Sequence, residues 1–384
     1  MKTIVYRFSI TLLAIALGIG LVMVLTLMGK KSSGPIEDTL RSVGSGVSSI
    51  ENKLILNSRE HTRSKSLAWF NNYRNNAKQL SSIDKIIWGA YDDEVSESYQ
   101  SIVELEDTLH TTFPIIHLYS AWGSKPEEKF PISQVKAISD IGSIPIITWE
   151  PWLSDFNKED FPNIDADYGK RDKSGLKSIT KGYYDTYIDK WANDLKDFGK
   201  LTFVRLGHEM NDPYRYPWGP QNNKPEDFVA AWKYVVNRFK MNGATNVIWV
   251  WSPHPAYGNF DAYYPGDNYV DWIGTGTLNY GTVATWSQWW TFDDIFGKYY
   301  PQLSKYKKPI IITEFGSLSV GGNRAKWYED ALSAMPVKYP AIKSVIFFHC
   351  SKDNTTTNKS LDWYIKDDSL TIKTIIKATK NFHI

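Results

Sequence analysis

The chain has 384 residues, 44 basic and 42 acidic, for a formal net charge of +2. That length suits one large barrel with an appendage rather than a single small domain, and the balanced charge gives no electrostatic footprint for nucleic acid. Its one cysteine, Cys350, excludes an intrachain disulfide; it lies in the apolar run SVIFFHCS and reads as a small core residue.

Residues 8–28, FSITLLAIALGIGLVMVLTLM, carry no charge and are nearly all apolar. A membrane-spanning helix needs about 20 such residues, whereas a cleaved signal has a shorter apolar core. Met28, Gly29, Lys30 and Lys31 make a poor cleavage site. Residues 1–29 are therefore expected to be an uncleaved signal anchor with one transmembrane helix; cleavage would instead give a secreted protein. Lys2 and Arg7 offset Lys30 and Lys31, so the positive-inside rule leaves the orientation open. Residues 30–80 are polar, include KKSSGP and SVGSGVSS, and read as a linker or stalk with a helical piece near SKSLAWFNNYRNNAKQL.

From residue 81 to 384, short apolar runs alternate with amphipathic segments. The strand-like runs cover 86–91, 114–122, 144–152, 201–209, 246–254, 271–280, 309–317 and 344–351. PEDFVAAWKYVVNRFK and RAKWYEDALSAM are two of the helix-like segments between them. Near-continuous apolar strands are buried on both faces, as in a parallel sheet. Eight of them alternating with helices predict an α/β fold, a (β/α)8 TIM barrel; the connection after the sixth is irregular.

Barrels of this kind place their chemistry at the C-terminal ends of strands. The fourth run ends in His208 and Glu209 and the seventh in Glu314; Trp149, Glu150 and Trp152 close the third, Trp251 and His254 the fifth, and Asn279 and Tyr280 the sixth. Two facing carboxylates among aromatic walls suit glycosidic bond cleavage, one as proton donor and the other as nucleophile or base. A glutamate at a strand end also serves as a helix cap or ion-pair partner, but two at the ends of strands four and seven weaken that reading. The 16 Trp and 23 Tyr supply flat surfaces with polar rims, which suit sugars.

The segments VRLGHEMNDPYRYPWG and ITEFG, with ITWEPW upstream, resemble glycoside hydrolase family 26 over most of residues 82–351. The resemblance implies a retaining enzyme with Glu209 as acid/base and Glu314 as nucleophile. It further implies substrate contacts from His208, from Tyr280 beside the nucleophile and from Trp218 as a sugar platform. Asn211, Trp149, Trp251, His254 and Arg205 complete the candidate substrate-binding set, with Arg205 equally readable as a structural ion pair. Leu206, Gly207 and Asp212 depart from the pattern of the family's mannanases, so the chain looks closer to the mixed-linkage β-1,3-1,4-glucanase-like members; endo-β-1,4-mannanase is the alternative.

Asp92 and Asp93 are substrate-binding or solvated-loop residues, His117 a hydrogen-bonded barrel residue, and Glu150 a cleft or structural residue. Trp152 and Trp286 are divided between core and cleft. Loop 153–182 is long enough to close one end of a cleft. HEMND lacks the second histidine of HExxH, which argues against a zinc hydrolase; no metal and no cofactor are expected. The expected partners are a polysaccharide substrate and, through the N-terminal helix, a membrane. The chain is expected to be monomeric, with the catalytic domain outside the cytoplasm, on the cell-surface or periplasmic side. A catalytically silent, membrane-tethered glycan-binding protein is the competing class.

Overall fold

The computed structural model describes residues 57–95, 99–354 and 359–380, with the isolated positions 18, 55 and 357. Residues 51–384 form one compact unit. The apolar run 8–28 and the stalk up to residue 54 lie outside the described residues, Gly18 apart; among the described residues no helix is long and apolar enough to cross a membrane.

Eight parallel strands close into a barrel in sequence order: β1 Ile87–Asp92, β2 Ile115–Ala121, β3 Ile144–Glu150, β4 Thr202–Leu206, β5 Val247–Trp251, β6 Trp272–Asn279, β7 Ile310–Ser317 and β8 Ile342–His349. β1 pairs with β8 over Ile87–Asp92 and completes the cylinder. Helices separate the strands, among them Gln100–Leu109, Asp185–Phe198, Pro225–Met241 and Arg324–Lys338. Local sequence fixes their ends. Pro225 opens its helix with Glu226 and Asp227 in the first turn, where acidic groups meet the helix dipole. Gly199 closes Asp185–Phe198 in the left-handed conformation at φ 70°.

Alternation along each strand divides the core in two. Outward side chains such as Ile147, Trp149, Val204, Trp249 and Trp251 pack under the helices. Inward side chains such as Ile115, Ile146, Phe203, Ile248, Trp272 and Ile346 fill the lower barrel.

Phe70, Leu80 and Ile83 join that inner cluster, so residues 57–80 are not a free linker. They cap the N-terminal end of the barrel. Buried Arg63 pairs with Glu106 and donates to the Ser143 hydroxyl (2.7 Å) and the Ile141 carbonyl (3.2 Å). The barrel domain therefore begins before residue 81. The polar composition of this stretch disguised its role, because only a few of its residues face inward.

Candidate active site

Above the apolar layer the inward positions become polar. Arg205 on β4 is fully buried and donates from Nε to Ser252 Oγ (2.9 Å) and from Nη1 to Glu314 Oε1 (2.6 Å) and Thr148 Oγ1 (3.3 Å). His117 Nε2 lies 2.7 Å from the same Thr148 hydroxyl. Burial, reinforced by the Arg205 charge, lowers the His117 pKa to about 3 and keeps the ring neutral.

Glu314 reaches this layer through a register shift. β7 pairs Ile312 with Thr275 and then Glu314 with Gly276, skipping Thr313; on the other side Ile312 faces Val345 and Phe315 faces Phe347. With Ile311 inward and Ile312 outward, strict alternation would turn Glu314 outward. The extra residue of the bulge turns it inward. There Oε1 also accepts the Tyr119 hydroxyl at 2.9 Å. Burial alone would raise the carboxyl, but the Arg205 guanidinium, with smaller help from His117 and Tyr119, outweighs it and holds Glu314 below its ordinary value.

Beyond β4 the chain makes a strained turn. Gly207 and Glu209 both adopt positive φ, 48° and 53°, a conformation uncommon for glutamate. The Gly207 N–H donates to the Trp149 carbonyl (3.0 Å) and the Glu209 N–H to the Ser252 carbonyl (2.7 Å), so both neighbouring strands hold the turn. Trp218 Nε1 donates to the His208 carbonyl at 2.7 Å. Glu209 is buried, with Oε2 3.3 Å from Arg215 Nη1.

Gly276 lies beside both carboxylates. A Cβ built there would lie 3.4 Å from Glu314 Oε2 and 3.7 Å from Glu209 Oε1. The two oxygens are thus no farther apart than the sum of those distances, which admits the roughly 5 to 5.5 Å of a retaining pair. The adjoining cavity of about 630 Å³ is lined by Tyr119, Glu150, Trp152, Tyr216, Tyr280 and Glu314, among others, a size that suits small ligands and sugar units.

The other candidates divide. His208 is buried, with Nε2 2.9 Å from the Tyr216 hydroxyl. Burial, with the Arg205 and Arg215 charges, holds its pKa well below the ordinary value. Glu150 faces the cleft, where burial lifts its carboxyl to about 7. Trp152 lines the cleft and Trp286 is 51% exposed.

Trp149 and Trp251 do not reach a substrate. Both point outward and are sealed, Trp149 against Trp122 and Trp191 and Trp251 against Tyr264 and Tyr306. Trp218 is 2% exposed beneath the stacked ring of Tyr216, at 4.7 Å, so it braces the turn instead of presenting a platform. Arg205 holds Glu314 from below and has no exposed surface. Asn211 is spent on structure: its amide donates to the His254 and Gly258 carbonyls (2.9 Å each) and its oxygen accepts the His254 N–H (2.8 Å).

Asp92 is buried against His349 Nδ1 at 2.6 Å. Asp93 borders the cleft but accepts from Ser351 and Tyr364. Phe156, Phe161 and Ile164 of loop 153–182 are buried in the helical layer, and no residue of that loop borders the cavity. Cys350 is buried, and burial pushes its thiol up to about 12, as a core residue requires. Tyr119 escaped the sequence reading because it lies within an apolar strand with no motif around it.

Glu209, Asp212 and His254 bring three ligand-type atoms within 4.8 Å of one another. His254 Nδ1 accepts the Ala256 N–H at 3.1 Å, so the lone pair on that nitrogen is already engaged by the backbone. This donor set fits a metal ion poorly.

A profile of glycosyl hydrolase family 26 matches residues 159–372. The chain is 34% identical over 277 residues to Endoglucanase H of Acetivibrio thermocellus, covering 70% of this chain and 27% of that protein. It is 26% identical over 196 residues to mannan endo-1,4-beta-mannosidase A and B of Caldalkalibacillus mannanilyticus, covering 47% of this chain and 34% of that protein. The chain thus spans about a third or less of the length of these relatives. A family 26 β-mannanase structure from Bacteroides ovatus shares the fold at TM-score 0.56 and 17% identity, covering 79% of this chain and 91% of that one. The chain belongs to glycosyl hydrolase family 26.

Proposed function

We propose that the barrel is a retaining endo-β-glycosidase acting on mixed-linkage β-1,3-1,4-glucan. The observation that carries this reading is the pair of carboxylates flanking Gly276, one of them fixed by Arg205 and Tyr119. Glu314, held below its ordinary pKa, attacks the anomeric carbon, while protonated Glu209 gives its proton to the departing oxygen. The C–O bond to the leaving sugar breaks and a glycosyl ester on Glu314 forms. Glu209, now ionised, takes a proton from water, which attacks the ester and frees Glu314. The Arg205 and Tyr119 contacts keep the attacking carboxylate oriented at no cost of reorganisation.

Glucan is favoured by the 34% identity with an endoglucanase against 26% with a mannosidase, and by Asp212 in the turn after the acid/base. Endo-β-1,4-mannanase is the second reading, motivated by the mannosidase relatives. Residues 8–28 support a catalytic domain tethered to a membrane and facing away from the cytoplasm, with a polysaccharide as partner; protein recovered free in the medium and starting after residue 31 would contradict the tether.

The test of substrate is reducing-sugar release by residues 51–384 on mixed-linkage glucan and glucomannan in parallel, with Glu314→Ala as blank. Release from mixed-linkage glucan alone is expected. Release from glucomannan alone moves the assignment to mannanase, and release from neither by folded protein returns it to a silent glycan-binding barrel.

A further inference from the structure

The two carboxylate oxygens of Glu209 meet different neighbours. Oε1 is the one turned toward Gly276 and Glu314, 3.7 Å from a Cβ built on that glycine. Oε2 accepts from Arg215 Nη1 at 3.3 Å. Arg215 stands in the loop after β4 and lines the cleft, partly exposed. Its guanidinium lies over the Tyr216 ring at 5.1 Å, and that ring stacks on buried Trp218 at 4.7 Å. Trp218 is itself tied to the His208 carbonyl, so the cation rests on the same support that braces the turn of Glu209.

This division of oxygens suits a proton donor. A carboxylic acid carries its proton on one oxygen and accepts at the other. With the proton on Oε1, Arg215 bonds Oε2 in both protonation states, and more strongly once it faces a full negative charge. The contact is longer than the about 2.7–2.9 Å of a tight charged pair, which leaves it room to shorten. When Oε1 passes its proton to the departing sugar oxygen, the electron pair of the O–H bond stays on Glu209 and the Arg215 contact gains strength. An interaction stronger in the transition state than in the ground state speeds its step. In the second half of the cycle Glu209 takes a proton from water and the contact weakens again. Arg215 thus assists departure of the leaving sugar and gives no help to hydrolysis of the glycosyl ester.

We infer that Arg215 is a positioning residue for Glu209: it holds Oε2, presents Oε1 to the glycosidic oxygen and stabilises the charge left behind when the leaving sugar departs. The inference rests on the reading of Glu209 and Glu314 as the catalytic pair.

The test compares residues 51–384 with their Arg215→Met and Glu209→Gln variants on two substrates. One is whichever of mixed-linkage glucan and glucomannan the parent hydrolyses; the other is an aryl glycoside of the same sugar, whose phenolate leaves without protonation. Arg215→Met is expected to lower kcat on the polymer by about 10–100-fold, the worth of a hydrogen bond between charged groups, with KM near the parent value. On the aryl glycoside, where hydrolysis of the ester limits turnover, kcat is expected to hold or rise. Arg215→Lys, which keeps the cation, is expected to retain more polymer activity than Arg215→Met, and serves with the same contrast between substrates if the methionine variant fails to fold. Equal losses on both substrates in a folded variant would make Arg215 a structural support only, and an unchanged kcat on the polymer would remove its role; either result overturns the inference and leaves the catalytic pair standing. Equal losses on both substrates in Glu209→Gln overturn the pair instead, and no hydrolysis of either polymer by the parent overturns both.

Discussion

Arg205 and Glu314, 109 residues apart in sequence, meet at 2.6 Å inside the barrel, and the guanidinium is itself fixed by Ser252 and Thr148. The pair holds the Glu314 carboxyl ionised where burial would otherwise favour its proton. A carboxyl with a lowered pKa contributes stability that is present above its unfolded value and lost as pH falls through the folded value. Arg205→Met leaves a buried charge without its partner, and such losses cost about 3–5 kcal/mol. The expected outcome is a lower melting temperature and an acid limb of kcat/KM moved to higher pH, read from denaturation curves and pH–rate profiles. An unmoved acid limb in folded Arg205→Met would contradict the role given to the pair.

Gly276 offers a sharper test of geometry. A methyl group there meets both carboxylates at ordinary contact distance, 3.4 and 3.7 Å, and Gly276 has no positive φ that an alanine would strain. Gly276→Ala is expected to fold with wild-type stability yet lose about 10²-fold in kcat/KM, because its methyl group takes space beside both carboxylates of the proposed pair. Circular dichroism and steady-state kinetics together check this; full activity would mean the sugar does not pass between Glu209 and Glu314.

The acid/base role proposed for Glu209 has a signature of its own. Glu209→Gln is expected to lower kcat on polysaccharide by about 10²–10⁴-fold. The loss should be far smaller on an aryl glycoside whose phenolate leaves without protonation. Azide added to Glu209→Ala should restore turnover and yield a β-glycosyl azide. Equal losses on both substrates would remove Glu209 from the acid/base role.

Much of this was written in the chain. All eight apolar runs became strands, since burial on both faces leaves an unbroken apolar signature. Glu209 and Glu314 were visible as carboxylates ending such runs. Which way each tryptophan turned was not visible. Trp149 and Trp152 are three residues apart, yet one is sealed under helices and the other lines the cleft. In a strand apolar on both faces, composition does not distinguish inside from outside, and the β7 bulge shifts the phase at Glu314 itself. Arg205 was placed on the right strand, but its partner depended on closure of the barrel.

The Glu150 carboxyl, raised to about 7 first by burial and further by Glu314, with Trp152, Arg205 and Arg215 opposing, also affects stability. Its folded state holds a proton that the unfolded chain has released, so its penalty grows as pH rises from the ordinary carboxyl value of about 4.3 to about 7. Glu150→Gln should therefore gain stability relative to wild type across that window and no further above it. Urea midpoints at several pH values measure the difference; a pH-independent difference would show that Glu150 ionises normally.

The barrel floor sets where the domain can be cut. A chain starting at residue 51 keeps Arg63, Phe70 and Leu80, whereas one starting at residue 81 uncovers the apolar ring that includes Ile87, Ile115 and Ile346. The shorter form is expected to aggregate or melt at markedly lower temperature. In the longer form Arg63→Ala should cost about 3–5 kcal/mol by stranding buried Glu106. Equal melting temperatures for the two lengths would show that residues 57–80 are dispensable.

The most direct test of the account is the configuration of the first product. Proton NMR during early hydrolysis of a mixed-linkage gluco-oligosaccharide by residues 51–384 resolves the new reducing end before mutarotation. Attack by Glu314 followed by attack of water predicts the β-anomer first, with the α-anomer growing in later. Initial release of the α-anomer would mean a single displacement by water and would contradict Glu314 as nucleophile.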